Sequence, residues 1–255
     1  ANRKKRTRLS CTSKKGLFIN RGIEIMVRIT FSWDDGSPDD FKIKDLFEKY
    51  DIPCILFIPA ENIEGRKVVN RQEIRLLKSE LLSIGSHTLH HIYLTNMEKG
   101  QIEKEVLDGK KYIEDIISEQ NVHFCLPGGK YNSDVLHVCR KYFKTIRTAD
   151  TMNAVTSLPL IRPTFHYYNR GIKSLIYNGF KQKSSLLRYL SWADASDYFA
   201  EIEHVLIKAS QSMRNYDIHI WGHSWEIEEF DLWGRLEKSI VFMKERGFIF
   251  QQYYE

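Results

Sequence analysis

Short apolar runs without polar alternation recur along this 255-residue chain, and amphipathic segments of helical period separate them. The clearest predicted strands cover residues 27–33, 54–59, 122–126 and 217–221. Strands that are apolar on both faces are typical of parallel sheets covered by helices. We therefore predict a single-domain α/β fold. With about seven strand–helix units, closure into a barrel is favoured over an open doubly wound sheet.

The remaining elements are predicted from helical stripes, caps and stop signals. Helices are expected over 70–82, 196–213 and 231–246. Two more are expected between them: one begins at a capping box of Thr95 and Glu98 and runs to about 119, and one begins at Ser133. Further strands are expected over 144–148, near 160–166 and over 248–253. Because no glycine-rich phosphate loop follows any of the predicted strands, the sequence argues against a nucleotide-binding fold.

The basic charge of the chain belongs to its first 25 residues. They hold eight Lys or Arg and one acid, a net +7, so residues 26–255 carry −2 of the total +5. We predict a disordered extension over 1–25 and a catalytic domain over 26–255. The basic residues within 3–15 leave open the alternative that the protein binds nucleic acid or an anionic membrane surface. We expect no nucleic-acid partner.

Neither a spanning helix nor a secretory signal is predicted. The chain has no run of 18 apolar residues, and residues 1–25 have no apolar stretch of 7–15 residues. A cytoplasmic location is therefore expected. The four cysteines are scattered without a C-x-x-C pair, which argues against a cysteine zinc site.

Polar residues with catalytic chemistry follow the predicted strands. In parallel α/β folds such residues gather where the strands end. The set comprises Asp34, Asp35, His87, His91, a turn at 127–129 and His223. We expect these groups to meet at one face of the barrel.

The spacing of His87 and His91 places both rings on one face if they lie on a helical turn, where they can reach one metal ion. The intervening His90 should point away. Of the two adjacent carboxylates, Asp34 and Asp35, one can bind the metal while the other stays free as a base. Two histidines and one aspartate leave a position open for water, as in catalytic zinc sites. The alternatives are ordinary structural histidines and a solvated Asp-Asp-Gly turn.

His223 lies between two tryptophans at a predicted strand end. Partial desolvation there would let it titrate near neutrality and act as a general acid. The alternative is a core histidine bonded to backbone.

Together these motifs resemble the polysaccharide deacetylase family, also called carbohydrate esterase family four or the nodulation-type deacetylases. T-F-S-W-D-D-G over residues 30–36 is similar to the family's T-F-D-D-G, with two residues inserted before the aspartates. G-S-H-T-L-H-H over 85–91 contains its H-[ST]-x-x-H motif. F-C-L-P-G-G over 124–129 is similar to F-R-x-P-x-G, and I-W-G-H over 220–223 ends in the last motif's histidine.

The resemblance implies a distorted (β/α)7 barrel and a metal-dependent deacetylase. By it, Asp35, His87 and His91 are the metal ligands, Asp34 is the base and His223 is the acid. The ion expected is zinc, with cobalt, nickel, manganese or iron as alternatives. The substrate implied is an N- or O-acetylated sugar or oligosaccharide.

The third and fourth motifs depart from the family pattern. The backbone N–H of Gly128 lies where the family places an oxyanion-stabilising amide, but Cys125 replaces the arginine that helps to hold the base. Arg162 is our candidate substitute, and Asp150 is the nearest counterpart of the Asp-rich motif that tunes the acid. These departures leave two alternatives open: a hydrolase of a non-sugar amide, and a catalytically silent sugar-binding barrel.

Overall fold

The computed structural model describes residues 26–154, 157–191, 197–212 and 214–253. The predicted extension over 1–25 therefore lies outside the described residues. Nine strands form one sheet in the order β6-β5-β4-β3-β2-β1-β8-β7, and β9 pairs with β1. The strands are β1 Val27–Asp34, β2 Cys54–Ile58, β3 Leu82–Ser86, β4 His123–Cys125, β5 Thr145–Arg147, β6 Leu160–Ile161, β7 Phe165–His166, β8 Tyr216–His223 and β9 Ile249–Phe250.

Every ladder between these strands is parallel, and helices connect most of them. The helices are α1 Asp40–Lys49, α2 Arg71–Leu77, α3 Lys99–Ile117, α4 Ser133–Tyr142, α5 Ile172–Lys181, α6 Tyr198–Ser210, α7 Ser224–Glu229 and α8 Trp233–Glu245. The two ends of the strand order, β6 and β7, follow each other directly in the chain. The predicted α/β class, distorted barrel and single domain are confirmed.

The central strand β1 presents two faces of different chemistry. Phe31 and Trp33 are fully buried and meet the ring of Phe47 on α1 edge-on, at 5.0 and 6.0 Å between centroids. The alternate side chains, including Ser32 and Asp34, face the barrel interior because successive strand residues point to opposite sides. The helices therefore cover the apolar face of β1, and its polar face lines the interior.

An aromatic side chain from the last described residue fills part of that interior. The ring of Tyr253 lies edge-on to Phe57, His123 and His219, at 5.4, 5.1 and 5.5 Å between centroids. Tyr253 is 2% exposed, so this segment belongs to the core.

The predicted helix over 70–82 is too long. Its capping box is present between Asn70 and Glu73, but α2 ends at Leu77 and Leu82 begins β3. A backbone bond from Ser79 N–H to the Leu82 carbonyl forms the intervening turn. Adjacent leucines at 81 and 82 satisfy helical and strand periods equally, so the pattern could not place this boundary.

Other boundaries moved by one to three residues, and three helices were missed. The N-caps are Glu98 and Asn132 rather than Thr95 and Ser133, and the helix predicted from 196 has its N-cap at Asp197. The strand predicted near 160–166 is two short strands, and the helix over 231–246 begins at Trp233 and follows a separate helix, α7. Residues 196 and 213, the predicted ends of α6, lie outside the described residues. The sequence did not predict α1, α5 or α7. Among the described residues, none of the helices is long and apolar enough to cross a bilayer.

Candidate active site

A cavity of about 370 Å³ opens where the barrel strands end. The predicted residues that line it are Asp34, Asp35, His87, His91, Gly128 and His223. It is also lined by residues outside the sequence prediction, among them Arg66, Arg147, His166, Arg170, Trp225 and Glu226. The structure therefore brings the four motifs to one cavity.

The two adjacent carboxylates both reach the cavity because the chain turns between them. On a continuous strand their side chains would point to opposite faces. Here β1 ends at Asp34, and Asp35 and Gly36 adopt left-handed backbone conformations, with φ of 77° and 63°. A Cβ on Gly36 would lie 2.7 Å from Cγ2 of Ile58, so the turn has no room for a side chain.

One oxygen of Asp35 faces both predicted metal-binding histidines. Asp35 Oδ1 lies 3.4 Å from His87 Nε2 and 3.0 Å from His91 Nε2. The predicted helical turn is wrong, because residues 87–93 form a loop in which Thr88 and His91 have φ of 67° and 53°. The loop brings the two rings to 4.9 Å between centroids without a helix.

Each of these groups has a second contact that orients it. His87 Nδ1 lies 2.8 Å from the Cys125 carbonyl, which accepts only from a protonated Nδ1 and so leaves Nε2 free to bind a metal. His91 Nδ1 is 3.3 Å from Asn62 Nδ2. The indole N–H of Trp225 donates to Asp35 Oδ2 at 2.9 Å.

The donor set fits a divalent metal ion. Asp35 Oδ1 is buried and has no hydrogen-bond donor among the described residues, and the three ligand atoms lie within 4.8 Å of one another. Burial would raise the pKa of Asp35, but His223, His87 and His91 outweigh it and hold that pKa well below its usual range. The carboxylate is therefore ionised, as a ligand must be.

The cation beside Asp34 is Arg147, rather than the Arg162 suggested by the sequence. The Arg147 guanidinium is fully buried and donates to Asp34 Oδ2. Arg147 on β5 lies directly beside Cys125 on β4, the position at which the family pattern has its arginine. The guanidinium therefore comes from the neighbouring strand. Arg162 is 41% exposed in its side chain and lies 3.8 Å from Asp150.

The Asp34 carboxylate is held at one oxygen and free at the other. Oδ2 accepts a hydrogen bond from the Arg147 guanidinium and lies 3.6 Å from Cys125 Sγ. Oδ1 is buried without a hydrogen-bond partner among the described residues. Burial raises the pKa of the Cys125 thiol well above its usual range, so the sulfur stays protonated beside the carboxylate. Asp34 Oδ1 is therefore the oxygen available to accept a proton in the cavity.

The carboxylate that orients His223 is Glu226, and the suggested Asp150 is elsewhere. Glu226 Oε2 lies 2.6 Å from His223 Nδ1 and 2.9 Å from His166 Nε2. Asp150 instead accepts a hydrogen bond from Tyr131 at 2.8 Å. The pattern that could have found Glu226 is its i, i+3 spacing from His223 at the start of α7.

The charges around His223 favour its protonated form. Burial alone would lower the pKa of His223, but Asp35 and Glu226 outweigh it and raise that pKa to about 8. Burial lowers the pKa of His166 to about 4, so His166 is neutral near pH 7. Hydrogen bonds from the two histidines outweigh the burial of Glu226 and lower its pKa to about 2.

The predicted oxyanion amide lies in a tight turn at the cavity wall. Gly128 has φ of 58° within the short 3-10 turn Pro127–Gly129, and a Cβ there would lie 2.5 Å from the ring of Tyr93. Only glycine fits this conformation and this approach.

Helix α3 supports the loop that carries the two histidines predicted to bind metal. His90 points out of the site, as predicted, and its Nδ1 lies 2.6 Å from Glu105 on α3. One turn later, a Cβ on Gly109 would lie 2.5 Å from the backbone carbon of Thr88. The close approach of helix and loop therefore depends on a glycine.

Gly109→Ala is expected to destabilise the protein by about 1–3 kcal/mol, because the added methyl must push against rigid backbone. Since that backbone positions His87 and His91, zinc binding should weaken as well. Urea unfolding and zinc titration measure the two effects. The matched control is Gly100→Ala on the same helix, where the methyl meets no atom within 4 Å. Equal behaviour of the two variants would contradict the proposed support.

Comparison with known proteins finds a family model and relatives that match this chain. Residues 24–145 match the family model described as polysaccharide deacetylase. A Bacillus subtilis protein provisionally named a polysaccharide deacetylase is 27% identical over 119 residues, 46% of this chain and 42% of that protein. The peptidoglycan-N-acetylglucosamine deacetylase of Bacillus cereus is 27% identical over 164 residues, 64% of this chain and 70% of that protein. The match thus spans less than half the length of the first relative.

The fold is shared with a solved structure. The family 4 acetyl xylan esterase from Clostridium thermocellum, in complex with a cobalt ion, superposes with a TM-score of 0.55 at 15% identity, over 88% of this chain and 87% of that one. At this identity the likeness concerns the fold alone. The family model over residues 24–145, the two relatives and the barrel confirm the resemblance to the polysaccharide deacetylase family that the motifs predicted.

Proposed function

We propose that this protein is a metal-dependent hydrolase that removes acetyl groups from a carbohydrate. The observation that carries the proposal is the placement of five side chains in one cavity. Asp35, His87 and His91 converge as ligands, while Asp34 and His223 offer a base and an acid beside them. Two histidines and a carboxylate with room for a further ligand are the catalytic zinc pattern.

Zinc is the ion we propose for this site, and the neutral imidazoles would also accept cobalt, nickel, manganese or iron. The C. thermocellum relative was solved with cobalt. A metal ion held by Asp35, His87 and His91 would polarise the acetyl carbonyl and make a nearby water more acidic.

The chain's own residues then perform the proton transfers. Asp34 Oδ1 takes a proton from the attacking water, while Arg147 donates to the other oxygen and fixes the carboxylate in place. The Gly128 N–H donates to the oxygen on which negative charge develops. His223, whose protonated form Asp35 and Glu226 favour, gives a proton to the departing nitrogen or oxygen of the sugar.

The substrate we propose is an acetylated sugar or oligosaccharide. The match to the polysaccharide deacetylase model supports the acetyl group, and the B. cereus relative is named for N-acetylglucosamine in peptidoglycan. Hydrolysis of a non-sugar amide would use the same groups. The Asp34–Arg147 pair argues against a silent barrel, because a sugar binder has no use for a buried carboxylate with one free oxygen.

The test is metal analysis of the purified protein together with acetate release from a panel of N- and O-acetylated sugars. The parent should hold about one equivalent of metal and release acetate, and His91→Ala should lose both. The control is His90→Ala, whose ring lies against Glu105 outside the site.

Two results would count against the proposal. Full activity in His91→Ala would exclude the metal-based reaction. Bound metal without acetate from any acetylated sugar would keep the metal site and move the function to a non-sugar amide or to binding alone.

The pH dependence should reveal the acid. The contact with Glu226 helps to raise the pKa of His223, so Glu226→Gln should lower that pKa. As the pH rises, the variant's His223 then loses its proton, and the enzyme its activity, at a lower pH than in the parent. We expect the alkaline limb of the pH–rate profile to move down by about one unit or more. Glu228→Gln on the same helix is the control, since Glu228 contacts Lys42 and Trp233 instead. An unmoved limb would exclude Glu226 as the group that tunes the acid.

A further inference from the structure

The charge of the chain is strongly uneven over residues 151–193. This stretch of 43 residues contains no Asp or Glu, although 33 acids among 255 residues would place about five or six in such a length. It contains six basic residues: Arg162, Arg170, Lys173, Lys181, Lys183 and Arg188. Residues 26–255 together have a net charge of −2, so this stretch is a positively charged segment within a nearly neutral domain.

Four of these cations have no acidic partner among the described residues. Arg162 and Lys181 each lie 3.8 Å from Asp150. The other four, Arg170, Lys173, Lys183 and Arg188, are exposed and take part in none of the ion pairs of the described residues. The stretch therefore presents positive charge that the protein itself does not neutralise.

Helix α5 carries the centre of this stretch and has two distinct sides. Its inner side packs closely on the 3-10 turn Ser185–Tyr189, since a Cβ on Gly179 would lie 2.4 Å from Leu187. Its outer side presents Tyr177 and Phe180, which are 68% and 64% exposed.

Two lysines flank these rings on the same side of the helix. Lys173, Tyr177, Phe180 and Lys181 follow the i, i+4, i+7, i+8 spacing of one helix face, and all four are exposed. Single exposed apolar residues are ordinary, but two large rings side by side between lysines are not. We call these four residues the outer stripe.

The outer stripe lies at the mouth of the candidate active site. Ser174, Leu175 and Asn178 of the same helix line the cavity. Whatever covers the outer stripe therefore stands next to the entrance of the cavity.

We infer that the outer stripe docks on a lipid bilayer that contains anionic lipid. Aromatic rings favour the interface between headgroups and acyl chains, and lysines beside them are attracted to anionic headgroups. A dissolved anionic polymer would account for the cations but would not require two apolar rings exposed between them. Docking there holds the cavity at the membrane surface, where it can accept substrates attached to or lying on the membrane.

The test is sedimentation of the full chain with vesicles of phosphatidylcholine, with and without phosphatidylglycerol. Binding should require the anionic lipid and weaken with salt. Tyr177→Ser with Phe180→Ser, and separately Lys173→Glu with Lys181→Glu, should each reduce binding by at least about tenfold. None of these side chains lines the cavity, so acetate release from a soluble substrate should stay unchanged.

Two controls separate other sources of binding. Leu76→Ser with Lys111→Glu alters an exposed apolar residue and a lysine on α2 and α3, and should bind vesicles as the parent does. The same stripe variants are also made in a chain whose basic residues at 3–8 are replaced by serine, so that the amino-terminal segment cannot mask their effect.

Three results would overturn the inference. They are equal vesicle binding by the parent and both stripe variants, binding that does not depend on anionic lipid, and retention on an immobilised anionic polysaccharide without any vesicle binding. The melting temperatures of the variants show that a loss of binding does not come from unfolding.

Discussion

Asp34→Asn is expected to lower the rate of acetate release by about 10² to 10⁴-fold while leaving the metal content unchanged. Asparagine keeps the shape of the side chain but cannot take a proton from water. Since the proposed ligands are Asp35, His87 and His91, the metal site should not depend on the lost charge. Steady-state rates and elemental analysis of the same samples measure both outcomes.

The control for this variant comes from the same loop. Asp39 also carries a carboxylate, but it contacts Lys42 at 3.1 Å and does not line the cavity, so Asp39→Asn should retain activity. Because Asp34→Asn leaves the Arg147 charge without its partner, its unfolding must be measured too. A folded, metal-loaded Asp34→Asn protein with the parent's rate would exclude Asp34 as the base.

Arg147→Ala is expected to destabilise the protein by about 3–5 kcal/mol and to abolish most activity. Removing one partner of a buried ion pair leaves the other charge uncompensated, and Arg147 and Asp34 are both almost fully buried. Asp34 would then lose the guanidinium that fixes its carboxylate, so the proposed base would no longer be held in position. Urea unfolding and acetate release test the two parts of this prediction.

A second substitution distinguishes the ion pair from simple loss of packing. Cys125 is the register partner of Arg147 on the neighbouring strand and lies 3.6 Å from Asp34. Adding Cys125→Arg to Arg147→Ala returns a guanidinium to the barrel interior from β4. We expect the double variant to recover part of both stability and rate, with Cys125→Leu in the same background as the control. Recovery by leucine alone would show that volume, rather than charge, is what Arg147 supplies.

The motifs predicted the groups that follow strands, because that part of the site is local in sequence. Asp34, Asp35 and the histidines all line the cavity, as the parallel-strand argument required. Their exact presentation was not predicted: the Asp35 turn and the His87–His91 loop use left-handed backbone that residue spacing does not reveal.

The supporting groups were missed because contacts between distant segments place them. Arg147 reaches Asp34 only through the register of β4 and β5, and no spacing in the sequence encodes that register. Helix α5 was missed because prolines and isolated aromatics around it hide its period, although a long acid-free stretch was visible. Arg162 and Asp150 were chosen by nearness in sequence, and the structure pairs them with each other.

The position of β1 has a consequence for how the protein is made. This strand pairs along its whole length with β8, and with β9 at Arg28 and Ile29. The edge of β1 that faces β8 therefore waits some 190 residues for its partner, whereas β2 and α1 follow β1 closely in the chain. Until β8 is made, β1 has a sheet neighbour on one edge only, although Phe47 of α1 can already cover Phe31 and Trp33. A nascent chain stalled before residue 216 should leave that edge of β1 open to proteases and chaperones, and the complete set of site groups should assemble only once β8, which carries His223, has been released.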